Sequence, residues 1–388
     1  MSEAFLSRRT IFKGVMSAAV LGISARVLPM FSTPSKKQTP GSCPSQDLSA
    51  TEKAIVVSSW PSYIDPIFEP GSTVARFQRQ TGIKVTLTED VNDNQAFFAK
   101  VSNQLGTCQP IERDLFIVTD WTVSRMMQLG WLQPLDHSHL ANVDAQLLPE
   151  LQRVAFDPGR QYSVPWQCGF TGLAYNAALV PEVRSIKELL TRDDLRGRVT
   201  LLSEMRDTMG LLLKSVGANP AGFNDDEWQR AIELIREARH RGQIRAFTGN
   251  EYVRGLSAGD IAACLAWSSD VAQMSDNPGL KFVPPEEGLQ FWSDNMAVPN
   301  LAVHKSNAET WMNYYYDPEV AATVAASIMC ICPVAGARAA MEKIDPSLVN
   351  NPLVFPSPEY LSRTWEFMPL GETQSRVYER DFRDAIGG

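Results

Sequence analysis

Short β-branched apolar runs alternate with amphipathic stretches along this chain. Residues 54–58 (Ala-Ile-Val-Val-Ser) have strand length, residues 71–80 carry helical spacing that ends at Thr81-Gly82, and residues 83–87 (Ile-Lys-Val-Thr-Leu) read as a second strand. A helix over 94–103 and a strand over 114–118 follow, and this alternation predicts a parallel sheet covered by helices. It restarts downstream with strands over 197–202 and 261–266 and an amphipathic helix over 225–242, which predicts a second α/β lobe. Between the lobes, 162–176 and 291–301 are apolar segments with Pro and Gly, suited to hinge strands.

The pattern breaks down before residue 53. Ser7-Arg8-Arg9-Thr10-Ile11-Phe12-Lys13 precedes an uncharged run over 14–25, the layout of a twin-arginine export signal, here assigned to 1–26. Residues 27–52 are rich in Pro, Ser, Thr and Lys without apolar periodicity, so a flexible tether is expected there. No run after the signal is long and uncharged enough for a membrane helix, which predicts a soluble mature protein outside the cytoplasm. A lipid anchor on Cys43 fits poorly, because Lys36 and Lys37 separate it from the apolar run and Pro40 suits the acceptor pattern badly. The six cysteines lack the spacing of a disulfide scaffold, and which of them pair stays open.

Charge narrows the class of partner. The formal net charge is -8 with no Lys/Arg stripe, which argues against nucleic acid and suits a cationic ligand. Neither the cysteines nor the four histidines cluster with metal-ligand spacing, and no cofactor motif is present. A hydrolase using Glu204 and Asp207 as its carboxylate pair lacks a nucleophile elbow or Ser/His/Asp set, so no enzyme is expected.

In open α/β sheets, ligands lie beyond the carboxyl ends of strands, and aromatic residues recur there. Trp60-Pro61-Ser62-Tyr63 follows the first strand, Thr119-Asp120-Trp121 the third, and Trp267 the strand ending Leu265-Ala266. Phe291-Trp292-Ser293-Asp294 adds a ring and an acid at a hinge, and Glu204-Met205-Arg206-Asp207 places two acids at a strand-to-helix turn. An organic ammonium needs carboxylates against its charge and ring faces along its methylenes, each ring contributing about 0.5–2 kcal/mol. Taken singly, a strand-end Trp is ordinary core packing and an Asp at a helix start an ordinary N-cap; the coincidence of several in both lobes is what suggests a site.

At these residues the sequence resembles the spermidine and putrescine binding proteins of polyamine ABC importers, from about residue 53 to residue 386. The likeness is carried by Trp60-Pro61-Ser62-Tyr63, Thr81-Gly82-Ile83-Lys84-Val85, Ser203-Glu204-Met205-Arg206-Asp207 and Phe291-Trp292-Ser293-Asp294. It implies a type II periplasmic-binding-protein-like fold, with 53–167 plus 295–338 as one lobe and 168–294 plus 339–388 as the other, joined by crossing strands. It also implies roles. Trp60, Tyr63, Trp121, Trp267 and Trp292 would wall the ligand, Thr119 would offer a hydroxyl, and Glu204, Asp207 and Asp294 would hold ammonium groups. Two positions depart from the family: Cys330 stands where a Tyr wall is usual, and Glu366 where a Gln is often found, an extra carboxylate that fits an added amine or the rim. The implied partners are a small polyamine and ABC permease membrane subunits, with monomer as the default state. A different amine, an amino-acid derivative whose carboxylate would need Arg206, and a sensory receptor of the same fold are the alternatives.

Overall fold

The computed structural model describes Cys43, residues 45–274 and residues 276–387. The expected export signal lies outside these described residues. Among the described residues ten strands form one sheet: β1 (Ala54–Ser59), β2 (Lys84–Glu89), β3 (Leu115–Thr119), β4 (Ser163–Asn176), β5 (Val199–Leu202), β6 (Ile244–Thr248), β7 (Ala263–Trp267), β8 (Leu280–Val283), β9 (Leu289–Ala297) and β10 (Thr364–Trp365). Their order is β2-β1-β3-β9-β4-β7-β5-β6, with β10 beside β9 and β8 beside β4.

Each flank of this sheet is parallel, β2-β1-β3 on one side and β7-β5-β6 on the other. The two flanks are joined through β9 and β4, which run antiparallel to each other and to their outer neighbours β3 and β7. The two alternating units expected from the sequence are therefore the two lobes, and the two extended segments are the crossing strands. All fourteen residues of β4 are buried, as a strand covered on both faces requires. Local signals set the helix limits. Ser72 caps Thr73–Thr81 and Gly82 ends it at φ +73°, while Asn224 and Glu227 form a capping box on Asp225–His240.

The tether ends earlier than composition suggested. Leu48 N–H donates to Val303 O at 2.7 Å, and Ser306 and Asn307, in the first turn of the helix Lys305–Tyr314, donate their N–H groups to Asp47 and Ser49. These polar residues are caps supplied from a distance, which periodicity does not reveal. Hydrogen bonds from Ser306 and Ser49 outweigh the partial burial of Asp47 and hold its carboxyl down to about 2. Cys43 is bonded to Cys108, with Cα atoms 5.6 Å apart, so this sulfur is committed to a disulfide. The other four cysteines are buried thiols.

Candidate functional site

The switch from parallel flank to crossing strand places Asp294. It sits on β9 opposite Thr119 of β3 on one side and Gln167 of β4 on the other, where side chains from both lobes converge. Thr119 Oγ1 donates to Asp294 Oδ1 at 2.7 Å, and Asn94 Nδ2 donates to Thr119 Oγ1 at 2.8 Å. A narrow cavity opens here, with about 70 Å³ accessible to the centre of a water molecule. That is room for a slim chain and too little for a bulky ring system.

Nine of the ten residues proposed from the sequence line this cavity: Trp60, Tyr63, Thr119, Trp121 and Trp292, with Asp207, Trp267, Asp294 and Glu366. Trp60 and Trp267 meet edge to face from opposite lobes, with centroids 5.8 Å apart. Trp292 packs against Gly169 of β4, where an added Cβ would stand 2.3 Å from the ring. Gly169→Ala is therefore expected to tilt Trp292 out of the wall and weaken ligand binding about tenfold while the protein stays folded, as read by titration and near-UV dichroism.

Glu204 is the exception and a correction. It is buried and accepts a 2.6 Å hydrogen bond from Asn94 N–H, outside the cavity lining. The cause is local: Glu204 occupies the N-cap position of the helix Met205–Ser215, and its side chain turns to the first turn of the helix Asn94–Gly106 in the other lobe. Burial, with Asp93 and Asp207 nearby, holds its carboxyl well above the usual range. Ser203 to Asp93 (3.0 Å) and Asn92 to Glu251 (2.8 Å) bridge the same seam, so the lobes are in contact across the cleft. Cys330 is fully buried near Tyr63 and Ser269 and walls no part of the cavity.

Two acids that sequence reasoning left out complete the lining. Asp120 follows Thr119 directly, and Asp270 lies three residues after Trp267. The strand-end rule that selected their neighbours would have found both. Asp270 accepts from Tyr252 OH at 2.8 Å and Asn250 Nδ2 at 2.9 Å, while Asp207 accepts from Thr171 Oγ1 at 2.5 Å and Trp267 Nε1 at 3.4 Å. Burial pushes Asp207 and Asp270 up to about 6. Burial pushes Asp294 up to about 7 against the Thr119 hydrogen bond, and burial with the charge of Glu366 does the same for Asp120. Glu366 is raised as well, by partial burial of its carboxyl, although the residue as a whole is exposed at the cavity rim. These acids resist ionising because burial strips them of water and, among the described residues, no Lys or Arg forms an ion pair with them.

Residues 72–355 match the family described as bacterial extracellular solute-binding protein, which spans most of the chain. The chain belongs to that family. This solute-binding protein is 26% identical over 333 residues to a spermidine/putrescine-binding periplasmic protein of Salmonella typhimurium, covering 85% of this chain and 90% of the relative. It is 27% identical over 366 residues to a putrescine-binding periplasmic protein of Escherichia coli, covering 88% and 93%. A solved structure of a putative spermidine/putrescine ABC transporter from Listeria monocytogenes superposes with a TM-score of 0.76 at 25% identity, covering 87% of this chain and 99% of that one. The fold is thus the two-lobed type II fold of extracytoplasmic binding proteins, and the relatives are carriers of solutes, not enzymes. Among the described residues no helix is long and apolar enough to cross a membrane.

Proposed function

We propose that this solute-binding protein captures a polyamine in the cleft between its lobes and delivers it to the membrane permease of an ABC importer. The observation that carries this reading is the lining: five carboxylates (Asp120, Asp207, Asp270, Asp294 and Glu366) face one guanidinium, Arg206, in a narrow cavity walled by tryptophans. A mono-cation matches too few of these charges, and a sugar matches none. A chain with ammonium groups at intervals matches several, and its methylenes suit the ring faces. Gln290 Oε1, buried without a protein partner beside the cavity, adds a neutral acceptor for an N–H. The names of the relatives support the same class of ligand.

Capture outside the cytoplasm fits the Cys43–Cys108 disulfide, because such bonds persist where thiols are not kept reduced. The disulfide also supports a chain free of lipid on Cys43, whose sulfur it uses. Calorimetric titration of the exported chain, disulfide intact, with putrescine, spermidine, spermine and a neutral sugar tests the reading. One-to-one binding of at least one polyamine and none of the sugar is the expected result; heat from none of the amines would overturn it.

A further inference from the structure

A simple polyamine leaves Arg206 without a partner. The residue is only 6% exposed, its Nε is buried without an acceptor, and no carboxylate of the described residues stands within ion-pair distance of it. Its guanidinium is stacked over the Trp121 ring at 3.6 Å, which fixes its direction. Burial lowers its pKa to about 10, against the fields of Glu204, Glu379 and Asp120, so it stays a cation at neutral pH.

Its position is as telling as its lack of partners. Arg206 lines both the narrow cavity and a wider vestibule of about 550 Å³ that continues from it, as do Asp120, Trp121, Phe291, Glu366 and Phe367. Arg125, Arg153 and Arg160 also line the vestibule, whose lining is balanced in charge where that of the cavity is acidic. Arg206 is the second residue of the helix Met205–Ser215, whose first-turn amides receive no side-chain cap.

A guanidinium only donates hydrogen bonds, and a protonated amine only donates too. An ammonium at this junction would meet a fixed, desolvated cation, and Arg206 would keep the cost of an unpaired buried charge. An oxygen acceptor removes both problems. We propose that the cargo is a substituted polyamine, with ammonium groups held by Asp207, Asp270 and Asp294 and an amide carbonyl or carboxylate oxygen bound by Arg206 at the mouth of the vestibule. The vestibule supplies the room that the substituent needs and the narrow cavity lacks. Asp120 and Glu366 face the same junction and would repel a second anion, so the neutral carbonyl of an N-acyl polyamine fits better than a carboxylate. This inference rests on the polyamine reading.

The test titrates the exported chain with spermidine, spermine and their mono-N-acetyl and N-carboxymethyl derivatives, which keep at least two ammonium groups, for the parent protein and for Arg206→Met. Acetyl derivatives are expected to bind about tenfold more tightly than their parent amines, one charge-assisted hydrogen bond's worth. The carboxymethyl series shows whether a carboxylate can replace the carbonyl, and a larger gain in that series assigns the subsite to a carboxylate. In Arg206→Met the two classes move in opposite directions: derivatives bind about tenfold more weakly, whereas unsubstituted amines gain severalfold because a repelling cation is gone. A merely structural Arg206 would weaken all of them alike. Should Arg206→Met fail to fold, Arg206→Lys, which keeps the charge and loses the planar fork, is expected to shrink the advantage of the derivatives. If unsubstituted polyamines bind and neither derivative series gains, or if all ligands weaken equally, this inference alone falls. If no amine binds, the polyamine reading falls and takes it along.

Discussion

Asp294→Asn lowers polyamine affinity by about 2–5 kcal/mol, the cost of truncating one partner of a buried charge pair, without loosening the ligand-free fold. The two halves of this expectation come from one geometry. Asp294 is 5% exposed, sits between β3 and β4, and accepts a 2.7 Å hydrogen bond from Thr119. Asparagine keeps that acceptor and the side-chain volume while removing the charge an ammonium requires. It also removes a carboxylate that burial disfavours, so the ligand-free variant melts no lower than the parent at about pH 8, and higher if relief from burial dominates. Titration together with thermal unfolding separates this from simple damage, which would lower both. Unchanged affinity would place the ligand away from Asp294 and undo the site assignment.

How much of this site was legible in the sequence follows from what fixes each residue. Trp60, Thr119, Trp121 and Trp267 are set by strand ends, and a strand end is a one-dimensional feature that apolar runs mark well. Asp294 and Trp292 are set by register across three strands, which the sequence does not display; they stood out only as an acid and a ring in a hinge segment, and family likeness supplied their roles. Glu204 shows where such reasoning fails. Its spacing from Asp207 is right for a pair on one helix turn, yet it is drawn to the Asn94 amide at the start of the helix Asn94–Gly106, 110 residues away in the chain. The polar stretch 45–52 failed in the same way, because Asp47 and Ser49 cap a helix far along the chain. Polarity without periodicity describes a linker and a remote cap equally well. The fold was more legible than the site, since alternation alone separates the two flanks, and only the antiparallel pairing of β4 with β9 required the third dimension.

Polyamine affinity falls steeply as pH drops from about 7.5 to about 5.5, while the ligand-free protein gains stability over the same interval. Asp294 and Asp120 sit at about 7, and Asp207 and Asp270 at about 6. All four exceed the ordinary carboxylate value near 3.9. For a group raised on folding, the stability it contributes is fully present below its unfolded pKa and is lost as pH rises through its folded pKa. The ligand-free fold is therefore favoured at pH 5 and weakened above 7. His137 and His304 are also raised, by hydrogen bonds to Asp144 and Asp114 that outweigh their burial, and they add to this slope with the same sign. Neither histidine lines the cavity, so binding isolates the acids. An ammonium needs the ionised carboxylates, so its binding runs the other way. Ionising Asp294 alone at about pH 5.5 costs about 2 kcal/mol, since each pH unit below its pKa is worth about 1.4 kcal/mol. That is about a thirtyfold loss from one residue, and the other acids deepen it. The ligand's own amines, with pKa values near 10, remain charged throughout and cannot produce the trend. Titrations at pH 5.5, 6.5 and 7.5, in buffers of different ionisation enthalpy, count the protons released on binding. Asp294→Asn should flatten the profile by the share that Asp294 carries, and an affinity that stays level between pH 7.5 and 5.5 would mean that the buried acids do not hold the ligand's charge.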